Sequence, residues 1–393
     1  LYLVLLLLSL YHLSALQSLL ACTSAVIGPD ASKNRGPILW KNRDTGYLSN
    51  KIVFVNEKPY SYIGIVNEKE TSGRFVYAGL NETGFGIINT VAYNLPKEPD
   101  EFKDLEGSIM ADALRTCRSV ADFEFYLKRN LGETLGSWAN FGVIDGNGNA
   151  ILFEVHNHGY RKFDSRETAE KYLINSNYAR SGLDGKGQGY LRFEQASRLF
   201  QEIPGRLIDP TVILHDIARN FGHPLVSHPD RKDLSARSGK KPYWIYNRDC
   251  INRPSTSAAI VIHGKSEKGV DDVATMWVIL GEPLSSIAVP LWVKSGTVPT
   301  ELNHGSRAPI YAESRRIRQI YRPFNTGSKM NYMNLSKVMN REKSGILPPI
   351  LKTEQIIFEK TERFLKKSHT QAEYAAFQKK MATFALRTLK SIK

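Results

Sequence analysis

Cysteine is scarce in this sequence: its 393 residues contain only Cys22, Cys117 and Cys250. That excludes a small disulfide-stapled scaffold, and an odd count leaves at least one thiol unpaired in an exported chain. Either Cys117 pairs with Cys250 and Cys22 is left over, or all three thiols are free. Acidic residues are also short, 39 against 53 Lys plus Arg, for a net charge of +14. Part of that excess gathers near the C-terminus, at Lys366, Lys367, Lys379, Lys380, Arg387, Lys390 and Lys393. No nucleic-acid motif accompanies it, so no nucleic-acid partner is expected. Repeats and flexible linkers are missing as well. Beyond the first 20 residues no stretch is long and apolar enough to span a bilayer.

That first stretch differs from all the rest. Leu1 to Leu20 is almost wholly apolar, carries no charge and runs into the small Ala21. It reads as the apolar region of a secretory signal, cleaved after Ala21. The chain opens on Leu, so the initiator Met and a basic start are expected upstream. A membrane anchor is the alternative, weakened by the polar interruptions at Tyr11-His12 and Gln17-Ser18. The expected organisation is a removed signal at 1–21, one domain at 22–348, and a helical extension at 349–393 packed on it. The product is expected to be periplasmic or secreted, without a stable membrane span.

After Cys22 the pattern is strand-rich. Thr23–Ile27 and Pro37–Asp44 flank a polar turn and read as a hairpin. Further strands are expected at Lys51–Val55, Ser61–Val66, Arg74–Ala78 and Gly84–Ala92. Glu106–Asn130 has helical spacing through Ile109, Leu114, Val120, Phe123 and Leu127. Ala139–Ile144 and Asn149–Val155 flank Asp145-Gly146-Asn147-Gly148, a strong hairpin turn. Leu173–Asn177 reads as a strand, and Tyr190–Glu202 and Thr211–Phe221 as helices. Ser257–His263, Ala274–Leu280 and Ser286–Val293 form a meander, and from Pro349 onward the pattern is amphipathic and helical. The fold class is α+β.

Cys22 admits two functional readings. In one, Leu19-Leu20-Ala21-Cys22 is a lipoprotein signal and the Cys carries lipid. In the other, ordinary cleavage leaves Cys22 as the first residue, with a free thiol and a free α-amine. Such an amine titrates near pH ~7.7–8.0, so it can take the thiol proton at neutral pH. The thiolate then attacks an amide carbonyl, and the amine later protonates the leaving nitrogen. A lipoprotein usually follows its Cys with a polar tether. Here Thr23-Ser24-Ala25-Val26-Ile27 enters a strand at once, which suits a fixed nucleophile.

Cys22-Thr23-Ser24 followed by Leu39-Trp40-Lys41-Asn42-Arg43-Asp44 resembles the opening of the cysteine-type N-terminal-nucleophile (Ntn) amidases. These are the choloylglycine hydrolase and penicillin V acylase group and the acyl-coenzyme A:6-aminopenicillanic acid acyltransferase family. The segment Gly79 to Ile87, Ile174-Asn175-Ser176-Asn177, Arg192-Phe193, and Thr275-Met276-Trp277-Val278 to Gly281-Glu282-Pro283 resemble later parts of the same pattern. The resemblance covers roughly Cys22 to Val293 and implies a four-layer αββα sandwich. It also implies hydrolysis of linear amide bonds through a thioester on Cys22, with acyl transfer as a side activity, on a small acyl amide or peptide-like substrate. No cofactor or metal is implied. In this pattern Cys22 matches the nucleophile and Asp44 the carboxylate that steadies the amine. Asn175 matches an oxyanion donor, Asn89 is a second candidate donor, and Arg192 matches the active-site Arg. Lys41 stands where bile salt hydrolases carry Arg, a departure that leaves its role open between Lys41 and Arg43. Strand alternation points those two one way and Asn42 and Asp44 the other. The likeness points to a bacterial chain and leaves room for a homo-oligomer. An inactive relative with this fold is the remaining alternative.

Other features carry little. Asp145 to Asn149 lacks the ligands of a calcium loop. His156-Asn157-His158 has no third metal ligand. Asn81-Glu82-Thr83 is a glycosylation sequon that reads as a turn. His215-Asp216 reads as a solvated helix face, and Ser255-Thr256-Ser257 as a strand entry.

Overall fold

The computed structural model describes residues 21–96, 103–203, 205, 207–265, 270, 273–305 and 307–393. The segment read as a signal, apart from Ala21, lies outside the described residues.

The first strands are β1 (Thr23–Ile27) and β2 (Ile38–Asp44), an antiparallel hairpin in which Thr23 pairs with Asn42 and Ser24 with Lys41. Then come β3 (Asn50–Val55), β4 (Tyr62–Asn67), β5 (Ala78–Asn81), β6 (Gly86–Val91), β7 (Trp138–Ile144), β8 (Ala150–His156) and β9 (Gly159–Asp164). These seven form one antiparallel meander in chain order. The rest are β10 (Tyr172–Asn175), β11 (Trp244–Tyr246), β12 (Thr256–His263), β13 (Thr275–Leu280), β14 (Ala288–Leu291) and β15 (Tyr332–Asn334). The second large sheet has the order β10-β1-β2-β12-β13-β14, while β11 and β15 make a separate two-stranded sheet.

The two large sheets stack face to face, with β1 and β2 packed on β6 and β7. Helix α1 (Glu106–Thr116), followed by α2 (Val120–Asn130), covers the outer face of the seven-stranded sheet. On the other side α3 (Tyr190–Gln201) packs on β10, α4 (Pro309–Tyr321) on β13, and α5 (Leu347–Phe364) and α6 (Gln371–Ser391) on β14. The result is a four-layer αββα sandwich. It explains why β12, Thr-Ser-Ala-Ala-Ile-Val-Ile-His, is apolar on both faces: one meets the other sheet and one meets helices.

Several expectations change in detail. The pattern over Glu106–Asn130 is two helices, because Ser119 opens a new one. Its Oγ accepts from the Asp122 N–H at 3.1 Å, and Asp122 Oδ2 accepts from the Ser119 N–H at 3.0 Å. The strand expected at Arg74–Ala78 starts only at Ala78. The C-terminal pattern is likewise two helices. They form part of the outer layer, starting at Leu347. The pairing alternative for Cys117 and Cys250 is not realised: all three cysteines are free and buried. The Asp145 turn is closed by its own carboxylate, which accepts from the Asn147 and Asn149 N–H groups. Among the described residues no helix is long and apolar enough to cross a membrane, and no cluster of His, Cys, Asp and Glu could hold a metal.

One buried ion pair ties α5 to the sheet. The Glu354 carboxylate accepts two bonds from Arg219, at 2.8 and 2.9 Å, and one from the Ala288 N–H at 2.6 Å. His215 Nε2 stands 2.9 Å away, so this residue is no solvated face. Despite burial, which alone would raise it, Arg219 and His215 pull the Glu354 pKa from 4.5 down to about 2. Removing one partner leaves a buried uncompensated charge, and Glu354→Ala is expected to cost about 3–5 kcal/mol in urea unfolding. The folded pKa lies below the unfolded one. The stabilisation is therefore complete above pH 4.5 and is lost as pH falls through about 2. The gap between wild type and variant should narrow over that window.

Candidate active site

Cys22 immediately precedes β1, which lies inside the six-stranded sheet between β10 and β2. Its Sγ lies 3.6 Å from the Asp44 carbonyl oxygen at the end of β2. The hairpin register brings these two chain positions together. Cys22 is 9% exposed, and Ala21 is joined to it.

Arg192 closes the site from α3. It is 1% exposed, so it is no surface helix residue. One of its nitrogens, Nη1, donates to the Cys22 carbonyl at 2.6 Å and to Thr23 Oγ1 at 2.8 Å, and Nη2 donates to Asn177 Oδ1 at 2.9 Å. Burial brings its pKa down to about 10, with Asp44 opposing, so it stays cationic at neutral pH. The helix starts at Gly189, whose φ is +79°. A Cβ there would meet Arg192 Nη2 at 2.3 Å, so both the backbone and the guanidinium require glycine.

Asp44 accepts from Thr256 Oγ1 at 2.5 Å through Oδ1. Its Oδ2 is buried and, among the described residues, has no hydrogen-bond partner. Two guanidiniums, of Arg192 and Arg253, stop 3.9 Å from it. Burial raises the Asp44 pKa to about 6, against the opposing charges of Arg253 and Arg192. Arg253 Nε is also buried without a hydrogen bond among the described residues. One carboxylate therefore faces two cations.

Lys41 and Arg43 point toward the other sheet, as alternation requires. Lys41 Nζ donates to the Tyr77 carbonyl at 2.8 Å and to Asn89 Oδ1 at 2.6 Å. Burial lowers its pKa to about 8, and the nearby Cys22 charge opposes that shift. The Arg43 guanidinium sits 3.6 Å over the Tyr77 ring and bonds Asn50 and, at 2.9 Å, Asn67. Asn42 turns the other way, donating to the Ala218 carbonyl at 2.8 Å. Asn89 accepts through Oδ1, which leaves its Nδ2 free to donate among the described residues. Asn175 pairs with Ser24 across the β1–β10 ladder, two positions from Cys22. Its Oδ1 accepts from Arg180 at 2.7 Å, and its Nδ2 is only loosely held, 3.5 Å from Thr90 Oγ1.

The fold thus gathers Cys22, Asp44 and Arg192 directly, and Lys41 with Asn89 on the inter-sheet side. Asn175 lies beside this group. Four site residues are not evident from the sequence motifs: Asn177, Arg253, Thr256 and Tyr93. Asn177 ends the same Ile174 to Asn177 segment, and counting two on from the Ser24–Asn175 pair puts it beside Cys22. Tyr93 lies where Cys22, Arg192 and Arg253 all act on it, and burial pushes its pKa up to about 12. For Arg253, Thr256 and Tyr93, only the closed sheet brings the positions together.

No family model matches the chain, and no curated protein sequence matches it. Among solved structures it is similar to a variant of the conjugated bile acid hydrolase from Clostridium perfringens. Identity is 14%, over 69% of this chain and 92% of that one, with a TM-score of 0.40. It is also similar to the Caenorhabditis elegans ortholog of N-acylethanolamine-hydrolyzing acid amidase, at 14% identity over 62% and 92%, TM-score 0.42. Penicillin V acylase from Agrobacterium tumefaciens matches at 12% identity over 69% and 86%, TM-score 0.37. Likeness at this level assigns no residue a role, and the site rests on the geometry above.

The three thiols should differ in reactivity. Burial pushes Cys117 and Cys250 up to about 12, so neither offers thiolate at neutral pH. An alkylating reagent applied at neutral pH to protein cleaved after Ala21 should label Cys22 alone, read by peptide mapping. Equal labelling of all three would contradict this site.

Proposed function

We propose that this chain is an exported hydrolase of linear amide bonds that works through a thioester on Cys22 once Ala21 is removed. The observation that carries the reading is the buried cluster at the start of β1, where Arg192 bonds the Cys22 carbonyl at 2.6 Å and stands 3.9 Å from Asp44 Oδ2, with Cys22 Sγ 3.6 Å from the Asp44 carbonyl. An α-ammonium created at Cys22 adds a donor to this cluster. Asp44 then holds that amine, and Arg192 fixes the Cys22 carbonyl, so one residue presents thiol and base in a set geometry.

The steps follow from the groups present. The neutral α-amine takes the thiol proton, and Sγ attacks the amide carbonyl carbon. The carbonyl oxygen gains the charge, and the free Nδ2 of Asn89, with that of Asn175, is available to donate to it. Asn177 is engaged at both ends, to Arg192 and to the Val91 carbonyl at 2.9 Å, so it positions Arg192. The ammonium protonates the leaving nitrogen, the C–N bond breaks, and a thioester remains. Water, activated by the same amine, attacks the thioester and releases the acid and the thiol. An amine in place of water gives acyl transfer. Buried cations at Lys41, Arg43, Arg192 and Arg253 favour the oxyanion. The steps need no metal or organic cofactor. The lipoprotein reading fits less well: Thr23 is already fully buried in an internal strand, so a lipid on Cys22 would pin the domain core to the bilayer.

Rate assays on acyl amides, following release of the free amine, test the roles. Asp44→Asn, Asn89→Ala and Asn175→Ala should each lower kcat by about a hundredfold or more while the protein stays folded. Wild-type activity should fall as pH drops through the α-amine range of about 7.7–8.0, and Asp44→Asn, which removes the charge that favours the ammonium, should move that limb to lower pH. Full activity in all three variants would mean that the machinery is elsewhere.

A further inference from the structure

The two-stranded sheet of β11 and β15 stands apart from the catalytic layers, and its outer face is unusual. Trp244 and Tyr246 alternate outward along β11, and Tyr332 pairs with Tyr246 from β15. With Phe324, on the loop leading to β15, they are 39–42% exposed. Four large aromatics on one small face are more than scattered surface apolar residues. No catalytic role claims them.

The rings contact one another. Trp244 and Phe324 have centroids 5.7 Å apart, and Tyr246 and Tyr332 are 5.3 Å apart at 72°. Their faces are partly taken by each other, so they make a compact apolar projection and present few open faces for stacking bases or sugars. Exposed cations flank it. Lys240 and Lys241 precede β11, Arg248 follows it, and Lys329 stands 5.9 Å from the Phe324 ring. All four are exposed, and among the described residues none is in an ion pair. A second copy meeting the same face would bring like charges together, which disfavours a symmetric dimer there. An anionic partner with an apolar interior fits: Trp and Tyr rings settle at the boundary between headgroup and acyl chain, while the cations meet the headgroups.

We propose that this face docks the protein on an anionic lipid surface. Its placement suits the site. Phe324 and Met330 line a cavity of about 190 Å³ that reaches Thr256, the residue bonded to Asp44. That cavity connects the docking face to the residue that bonds Asp44. The proposal stands whether or not Cys22 is the nucleophile.

Vesicle sedimentation of the full chain tests it, with phosphatidylcholine vesicles against vesicles that also contain phosphatidylglycerol. The apolar Leu1–Leu20 segment would bind both alike, so the difference between the two is the readout. Wild type should prefer the anionic vesicles, and the preference should fade with added salt. The double variant Trp244→Ser/Phe324→Ser changes exposed residues only and should weaken the anionic-specific binding by about tenfold or more. Lys240→Glu/Lys241→Glu should weaken it as well. No preference for anionic vesicles, or a preference that both double variants keep, overturns the proposal. So does a dimer in light scattering that Trp244→Ser/Phe324→Ser dissolves, which would assign the face to a second copy. Binding to single-stranded DNA that the same variant abolishes, without vesicle binding, would assign it to nucleic acid.

Discussion

The candidate site depends on the Arg192 guanidinium. It is buried, and it reaches from the first turn of α3 to the Cys22 carbonyl, the Thr23 hydroxyl and the Asn177 side chain. Those three contacts fix the start of β1, the exit of β10 and the helix behind them in one geometry. A buried cation needs a counter-charge, and Asp44 is the carboxylate nearest to hand. Arg253 competes for the same oxygen at the same distance. The site therefore holds more positive charge than it neutralises. Such an arrangement is expensive in a finished core and useful where a thiolate, an oxyanion or a new ammonium must be accommodated.

The layers serve that charge cluster. A hairpin alone would leave Cys22 and Asp44 close but wet. Stacking the seven-stranded sheet on one face of β1 and β2, and helices on the other, separates the strand's neighbours by side. Lys41 and Arg43 go between the sheets, and Asn42 and Asp44 go toward the helices. Cys22 sits at the strand end, where both sets can act on it. Further out, Glu354 and Arg219 lock α5 onto β14, so the helical layer is held by a buried pair as well as by apolar contact.

How much of this can be read in advance depends on whether the signal is local. The β1–β2 hairpin, the β7–β8 turn and the β12 to β14 meander carry alternation or turn residues in the chain itself. Cys22 and Asp44 are marked by their place in that hairpin. The break at Cys117–Ser119 is local too, since Ser119 and Asp122 make a capping box, but the apolar spacing runs through it and masks it. β9 is an edge strand, Gly-Tyr-Arg-Lys-Phe-Asp, half exposed and without alternation to detect. β11 and β15 have three residues each, below the length at which a pattern exists. Arg253, Thr256 and Tyr93 join the site through pairings between positions distant in sequence. Asn177 needed the register of β10 against β1, because a shift of two residues exchanges it with Asn175.

The central claim is that the base is the α-amine of Cys22 and that Asp44 waits for it. Two forms of the protein decide this, one beginning at Cys22 and one carrying a single extra residue before it, both with the thiol intact. Assayed side by side on the same acyl amide, the form beginning at Cys22 should turn over and the extended form should not, because an amide nitrogen takes no proton. Full activity in the extended form, with mass spectrometry showing the added residue still in place, would contradict the account.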